Sequence, residues 1–475
     1  MKITKSDLKI YANARAVITQ FLYLPGNDRI SNTVKRVEKM SDNDTDKCLE
    51  KVMKDFAGRH HHLEEIFLSH FKRTEEQFGN GLAHFSPAKQ LLLGAFFTKE
   101  YSIQAAALFN PSIVPHPDQG GLKPGEHRFV MSLRATGEGH LSSVVFQTGI
   151  VDDAANIILD APSGYFTCLP HKTGRIYSKS FIQKTAASVP GCNTSVLSAL
   201  PDPFSAIEAK AALKSAVSRD LSITDSVQRL ENIIDTNYEL EAVTGLHINE
   251  KVIFPHAKAE SMGIEDVRFV QFKDGADTCY YGTYTAYNGK EIRSQLIETT
   301  DFTTFKIKSL HGEAIADKGM ALFPEKVNGK YVMISRQGGE KINIMFSEDL
   351  YCWNKFEVLM EPKYAWELVQ LGNCGSPVKT DKGWLLLTHG VGVMRTYVIS
   401  AVLLDINDPS ILIGRLDRPL IEANETEREG YVPNVVYSCG FIRNGNLLII
   451  PYAVSDSATG FVSLALDELL NELID

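Results

Sequence analysis

The chain has 475 residues, of which 44% are hydrophobic and 23% are charged, and these fractions are typical of a soluble globular protein. They exclude disordered and collagen-like chains, and no apolar run reaches the ~20 residues that a membrane-spanning helix needs. The formal net charge of −9 disfavours a nucleic-acid-binding protein, because such proteins usually carry a basic excess.

The cysteines and the N-terminal segment predict where the protein works. Seven cysteines are present without close pairs, which favours reduced thiols over a disulfide framework or a zinc site. Charges are scattered through the first twenty residues, so no apolar core of a signal peptide is recognised. We therefore expect a cytoplasmic protein without a metal site, without nucleic acid and without a membrane partner.

The first hundred residues predict a helical N-terminal extension. Apolar residues recur at helical spacing over 42–56 and 63–78, and a proline opens a third candidate helix over 87–98. A second helical block, an insertion at about 180–250, is predicted from the segments 205–217 and 226–243, the latter with Ser226 as its capping residue.

A repeat runs through the rest of the chain. Four segments read as an apolar strand, a tight turn that ends in glycine, and a second apolar strand, with turn glycines at 275, 329, 383 and 445. The first two intervals are both 54 residues and the third is 62. A fifth, less regular unit lies at 110–151. Four-stranded units at such a period predict a five-bladed β-propeller over 101–475, and a β-sandwich with accidental spacing is the less favoured alternative.

A propeller brings the innermost strands of all blades to one central channel, where distant residues converge. Polar residues at strand ends are therefore candidate site residues. They are Asn110, Arg134, Asp266, Arg268, Tyr284, Lys318, Arg336, His389, Asn434 and Asp456. Carboxylates, cations and aromatic rings together suit a sugar or a sugar with phosphate. The alternative for Asp266 is a purely structural role, in a turn where Glu265 and Asp266 form a salt bridge with Arg268.

Several ordered strings resemble glycoside hydrolase family 130. They are GIEDVRF, ALFPEKVNGKYVMISR, GSPVKTDKGWLLLTHGV and GYVPNVVYSCG, and the resemblance spans about 109–470. That family comprises β-mannoside phosphorylases and β-mannosidases on five-bladed propellers, so the resemblance implies a carbohydrate-active enzyme. The N-terminal helices and the insert depart from the compact family core and suggest a longer subgroup.

The resemblance also implies roles for particular residues. Asp266 matches the family's catalytic acid, which protonates the glycosidic oxygen through a sugar hydroxyl while phosphate attacks with inversion. Phosphate binding falls on Lys318, Arg336 and His389. Substrate binding falls on Asn110, Ser112, Arg134, Tyr284 and Asp456. Two departures stand out, since Lys318 replaces an arginine and Gln370 replaces a lysine of the better-known members.

The leading hypothesis is an inverting phosphorylase that cleaves a β-mannoside with inorganic phosphate to α-mannose 1-phosphate, without any other cofactor. Its rival, an inverting β-mannosidase, needs a second carboxylate to activate water, and Glu340, Glu427 and Glu429 are open candidates. A non-catalytic carbohydrate-binding propeller is the third alternative. The expected partners are a β-linked mannoside oligosaccharide and phosphate, and the helical arms are candidate contacts for a homo-oligomer.

Overall fold

The computed structural model describes residues 1–78, 81–172, 174–189 and 191–474, and it shows a mainly β protein with two helical regions. Within these residues eight α-helices are present: α1 (Asn27–Glu38), α2 (Asp42–Phe56), α3 (Leu63–Phe78), α4 (Pro87–Phe96), α5 (Lys179–Ala187), α6 (Ala206–Arg219), α7 (Thr224–Asp235) and α8 (Leu466–Ile474).

The β-strands of the described chain fall on both sides of the helical insert. The strands that precede helix α5 are β1 (Ile3–Lys5), β2 (Ile10–Tyr11), β3 (Val17–Phe21), β4 (Thr98–Ser102), β5 (Ala107–Pro115), β6 (His127–Thr136), β7 (Ser142–Val151), β8 (Ile157–Leu159), β9 (Thr167–Cys168) and β10 (Ile176–Tyr177). Those that follow it as far as residue 347 are β11 (Phe204–Ser205), β12 (Tyr238–Glu241), β13 (Lys251–Ile253), β14 (Gly263–Asp274), β15 (Asp277–Tyr287), β16 (Ile292–Thr299), β17 (Thr304–Ser309), β18 (Ala321–Leu322), β19 (Tyr331–Ser335) and β20 (Ile342–Ser347). The last ten are β21 (Glu357–Met360), β22 (Gln370–Asn373), β23 (Val378–Lys379), β24 (Trp384–Val391), β25 (Tyr397–Leu404), β26 (Leu412–Arg415), β27 (Val436–Tyr437), β28 (Ile442–Asn444), β29 (Leu447–Val454) and β30 (Ala458–Ala465).

The predicted N-terminal helices are confirmed, and their ends have local causes. Helix α2 begins after Ser41, whose hydroxyl accepts a hydrogen bond from the backbone N–H of Asp44 at 3.1 Å. Helix α4 begins with Pro87 after the capping residue Ser86. Helices α3 and α4 pack closely because residue 94 is glycine, where a Cβ atom would overlap the carbonyl of Phe67.

The helical insert has an apolar core of its own, built around buried side chains such as Leu213, Leu230 and Ile233. The prediction for 226–243 is wrong in two respects. Helix α7 starts at Thr224, and Ser226 accepts a hydrogen bond from the backbone N–H of Asn193 instead of capping the helix. The helix then ends at Asp235, since strand β12 pairs with β17.

Four larger sheets form the β part of the described chain. One has four strands (β18–β21), one has five (β22–β26), one has six (β1, β2 and β27–β30), and one has eleven (β5–β9 and β12–β17). In the eleven-stranded sheet, β7 and β14 run parallel and are joined by one residue pair, Ser142–Gly263. The predicted hairpins are confirmed, and each predicted turn glycine has a positive φ, at 63°, 78°, 152° and 57° in chain order.

The first hundred residues are not helical throughout. Strands β1 and β2 pair with β30, and the register places Ile3 opposite Leu464 and Ile10 opposite Thr459. Strand β3 pairs with β4, which follows the last N-terminal helix. Strands of two to five residues are too short to show a periodic pattern, and pairing between the two ends of a sequence leaves no local signal.

Two further expectations from the sequence concern reduced thiols and membrane-spanning helices. All seven cysteines are free thiols. Among the helices of the described chain, none combines the length and the apolar character that crossing a membrane requires.

Candidate active site

A cavity of about 240 Å³ collects side chains from all four larger sheets. Its lining residues are Asn110, Arg134, Asp266, Arg268, Lys318, Arg336, Gln370, His389, Arg395, Tyr397, Val435, Tyr437 and Asp456. Eight of the candidates predicted from strand ends are therefore brought together here, although they lie far apart in the sequence.

Irregular backbone sets the direction of two of these side chains, those of Asp266 and Asn110. The register between β14 and β15 shifts between Glu265 and Arg268, and Asp266 has a φ of 53°. The register between β5 and β6 shifts in the same way around Asn110, whose φ is 50°. Non-glycine residues adopt such angles only where the surrounding structure holds them, and such positions cluster at functional sites.

The carboxylate of Asp266 is held by two donors. Asn110 Nδ2 donates to Oδ1 at 2.6 Å, and Arg134 Nη1 donates to the same atom at 3.3 Å. Burial raises the pKa of Asp266, but the charges of Arg134, Arg268 and Lys318 outweigh it and hold the pKa below its usual value. Asp266 is therefore ionised at neutral pH.

Glu265 pairs with Arg134, not with Arg268 as the alternative from the sequence had it. Its Oε1 accepts from Arg134 Nη2 at 2.7 Å, and Arg134 Nε also donates to Ser142 Oγ at 2.9 Å. Arg268 instead donates to the backbone oxygen of Asp266 at 3.0 Å and to the Tyr437 hydroxyl at 2.5 Å. The turn in which Glu265 and Asp266 pair with the Arg268 side chain is therefore not what the structure contains.

A second carboxylate, Asp456, lies beside the first in the turn between β29 and β30. Burial and the neighbouring charge of Asp266 raise the pKa of Asp456 to about 7, although Arg134 and Arg395 oppose the shift. Two close carboxylates that cannot both ionise easily share a proton, so they titrate as a pair.

Cationic and amide groups occupy the other part of the cavity lining. Lys318 lies three residues before β18, Arg336 follows β19, and Gln370 begins β22. Among the described residues, the buried Nε atom of Arg336 has no hydrogen-bond partner. A buried N–H group without a partner costs free energy, and an anionic ligand oxygen would supply one.

His389 fixes the guanidinium of Arg336. The Nδ1 atom lies 3.2 Å from the carbonyl oxygen of Asn373, which can only accept, so Nδ1 carries the proton. The Nε2 atom then accepts from Arg336 Nη1 at 3.2 Å. Burial and the charges of Arg336 and Arg268 lower the pKa of His389 well below its usual value, so the ring is neutral.

The close approach of β22 to this pair depends on Gly372. A Cβ atom at that position would lie 2.3 Å from His389 Cε1 and 3.1 Å from Arg336 Nη1. The ring and the guanidinium therefore occupy the space that any side chain at residue 372 would need.

Two predicted substrate-binding residues, Ser112 and Tyr284, are not in the lining of this cavity. Ser112 Oγ accepts from the backbone N–H of Phe269 at 2.9 Å and ties β5 to β14. The Tyr284 hydroxyl donates to the buried carboxylate of Glu260 at 2.5 Å. Both side chains point to the interior between strands, because period-2 alternation places one side of each strand in the core.

Sequence reasoning missed Arg395, Tyr397 and Tyr437. Arg395 sits in a turn rather than at the end of an apolar strand, and Tyr397 opens β25 like an ordinary packing residue. Tyr437 lies in the string GYVPNVVYSCG, which is one of the strings that resemble the family. The resemblance assigned no role to this tyrosine.

Known proteins share sequence with about half of the chain. A 1,2-β-oligomannan phosphorylase from Thermoanaerobacter sp. (strain X514) is 32% identical over 234 residues, which cover 48% of this chain and 77% of the relative. A β-1,2-mannobiose phosphorylase from Listeria innocua is 31% identical over 230 residues, which cover 46% of this chain and 63% of the relative.

A solved structure of β-1,2-mannobiose phosphorylase from Listeria innocua, in complex with β-1,2-mannobiose, superposes with a TM-score of 0.47. It has 21% sequence identity, and the match covers 78% of this chain and 92% of that chain. The family model of glycoside hydrolase family 130, described as β-1,4-mannooligosaccharide phosphorylase, matches residues 224–474. Since that match includes Asp266, Lys318, Arg336, His389 and Asp456 and spans more than half of the chain, this protein belongs to glycoside hydrolase family 130.

Proposed function

We propose that this protein is an inverting phosphorylase that cleaves a β-linked mannoside with inorganic phosphate. The observation that carries the proposal is the pairing, in one small cavity, of an acidic group with a cationic group. Asp266 and Asp456 form the acidic group, while Lys318 and Arg336 form the cationic group. The relatives named as β-mannoside phosphorylases support the substrate class.

The reaction needs one proton donor and one held anion. A phosphate oxygen attacks the anomeric carbon from the face opposite the glycosidic oxygen, and the bond between that carbon and that oxygen breaks. The leaving oxygen takes the electron pair and a proton. That proton is the one that the Asp266–Asp456 pair retains, and Asp266 delivers it through a sugar hydroxyl, as the family pattern implies. The attack turns a β-mannoside into α-mannose 1-phosphate and frees the shortened sugar.

The cationic group suits the phosphate in this step. Arg336 has a fork of N–H donors fixed by His389, and phosphate oxygens match that fork geometry. Lys318 adds a point charge. Gln370, where many family members have lysine, still offers an amide donor but no charge. His389 supports the site by orienting Arg336, since its Nε2 already accepts from that guanidinium.

Hydrolysis by water is the weaker alternative. Of the candidate bases, Glu427 is buried in an ion pair with Lys5 and accepts a hydrogen bond from Tyr452 at 2.6 Å. Glu340 and Glu429 are exposed, and neither belongs to the cavity lining. Asp456 lies beside Asp266, whereas an inverting hydrolase needs its base across the sugar from the acid.

The test compares turnover with and without phosphate. We expect the protein, incubated with β-1,2-mannobiose or β-1,4-mannobiose, to release α-mannose 1-phosphate only when phosphate is present. Release of free mannose at equal rates in both samples would contradict phosphorolysis. Failure to turn over any β-mannoside would favour the non-catalytic carbohydrate-binding alternative.

The pKa of Asp456 predicts how activity depends on pH. Below about pH 7 the Asp266–Asp456 pair retains one proton, and above it this proton is lost. Because the leaving oxygen needs a proton, kcat/KM for the mannoside is expected to fall above that pH by up to about tenfold per pH unit.

The variant Asp456→Asn serves as the matched control for this profile. Phosphate itself titrates in the same range, but it does so equally for both proteins. We expect the ratio of wild-type to Asp456→Asn activity to change between pH 6 and pH 8. A ratio that stays constant across that range would assign the inflection to phosphate rather than to the carboxylate pair.

The proposal also covers the domain architecture around the site. Repeated hairpins and sheet edges around one cavity support a five-bladed propeller over 101–475, with the eleven-stranded sheet supplying two blades. Helices α1–α4 and the helical insert are additions to that domain, whereas β1 and β2 belong to its six-stranded sheet. Helix α2, whose apolar residues are mostly half-exposed, is a candidate contact in a homo-oligomer. The cytoplasmic location stays a prediction.

A further inference from the structure

Apolar side chains stand exposed beside the mouth of the cavity. Met394 is 84% exposed and Tyr431 is 47% exposed, and each lies close in sequence to cavity-lining residues. Met394 directly precedes Arg395, which lines the cavity. Single exposed apolar side chains are common on protein surfaces, so the contacts that hold these two decide whether they form a site.

Tyr431 is fixed between two turns that adjoin the acidic side of the cavity. Its backbone N–H donates to Ser457 Oγ at 2.7 Å, next to Asp456. Its hydroxyl forms a 2.9 Å hydrogen bond with His140 Nδ1. His140 lies in the turn between β6 and β7, and Arg134 bonds Ser142 at the start of β7. The tyrosine therefore bridges the turns beside Asp456 and Arg134.

Met394 is also held in place. Met394 and Arg395 both have a φ of 56°, and two backbone hydrogen bonds close the turn, from Gly392 N to Thr396 O at 3.0 Å and from Thr396 N to Val393 O at 3.1 Å. Such backbone angles persist only where contacts hold them. The turn sends the Arg395 side chain into the cavity and leaves Met394 in solvent.

The volume of the cavity limits what it can enclose. At about 240 Å³ it is smaller than the ~300–1,000 Å³ typical of cavities that enclose a drug-sized ligand. We therefore place only the mannosyl unit and phosphate inside it. The sugar that leaves must then lie outside, on the side where its oxygen is protonated. Because phosphate attacks from the cationic side, the leaving sugar emerges beside Asp266 and Asp456.

We propose that His140, Met394 and Tyr431 form a subsite for the leaving sugar chain, which we call the rim subsite. This inference rests on the proposed phosphorolysis and names the residues that select the acceptor. A tyrosine ring with a tethered hydroxyl packs against the C–H face of a pyranose and keeps its polar end satisfied. Met394 adds a polarisable apolar contact that adapts to different ring positions.

The test uses the synthetic direction, in which donor and acceptor vary independently. With α-mannose 1-phosphate as donor and mannose or β-1,2-mannobiose as acceptor, Tyr431→Ala is expected to raise the KM for acceptor about tenfold. The KM for α-mannose 1-phosphate should not change. Tyr431→Phe keeps the ring and is expected to raise the acceptor KM only about twofold.

Two further variants keep the test decisive. Met394→Ala alters an exposed side chain, so it should fold normally and raise the acceptor KM by severalfold. Leu368→Ala removes an exposed apolar side chain near Gln370, on the cationic side of the mouth, and should change neither constant. An unchanged acceptor KM in Tyr431→Ala and Met394→Ala would overturn the rim subsite. An equal rise for donor and acceptor would do the same, whereas absence of wild-type turnover would refute the proposed function and the rim subsite together.

Discussion

Replacing Asp266 by Asn is expected to lower kcat for phosphorolysis of β-mannobiose by a factor of about 10²–10⁴, the usual contribution of a general acid. Asparagine has the shape of aspartate but no transferable proton. Arg134 keeps its 2.7 Å contact with Glu265 in the variant, so the surrounding side chains retain a partner. Steady-state rates of α-mannose 1-phosphate formation measure the effect.

Glu265→Gln provides the matched control for Asp266. This carboxylate is adjacent in sequence and bonds the same arginine, but it is not in the cavity lining. We expect a loss of activity well below that of Asp266→Asn. Equal losses in the two variants would mean that the position of Arg134, rather than proton donation by Asp266, controls the rate. Near-normal activity of Asp266→Asn would exclude it as the acid.

The second large effect is expected at Arg336. Arg336→Met removes the guanidinium and keeps a side chain of similar length, so phosphate loses about two charge-assisted hydrogen bonds. We expect kcat/KM for phosphate to fall at least about 100-fold, mostly through a raised KM. Initial rates over a range of phosphate concentrations, at saturating mannoside, give the two constants separately.

Arg336→Lys separates charge from geometry. Lysine restores the positive charge but presents no planar fork, so its kcat/KM for phosphate should lie between those of wild type and Arg336→Met. A lysine variant as active as wild type would show that charge alone holds the anion. A methionine variant with an unchanged KM for phosphate would place the phosphate elsewhere in the cavity.

The sequence predicted much of this site because repetition is visible in a sequence. Hairpin turns at Gly275, Gly329 and Gly383 recur with equal spacing, and from them the convergence of Asp266, Arg336 and His389 followed. Their apolar runs are bounded by glycine turns and polar residues, so the ends of the strands can be located without knowing the fold.

Other parts could not be predicted, for physical reasons. Tyr284 occupies a strand position that could face either the channel or the core, and only its partner Glu260 decides between them. Arg395 owes its placement to a turn with positive φ, which residues other than glycine seldom signal. Tyr431 enters the proposed rim subsite through contacts with distant turns, and no local pattern records such contacts.

The pairing of β1 and β2 with β30 gives the site a particular place in the folding of the chain. Asp456 lies in the turn that leads into β30, and this strand acquires its outer partners only from residues 3–11. Contacts between the two ends of a sequence close the largest loop, so they form slowly and late. The outer edge of β30 is therefore expected to be completed late in folding, and a change in residues 3–11 would act on the site only through that strand.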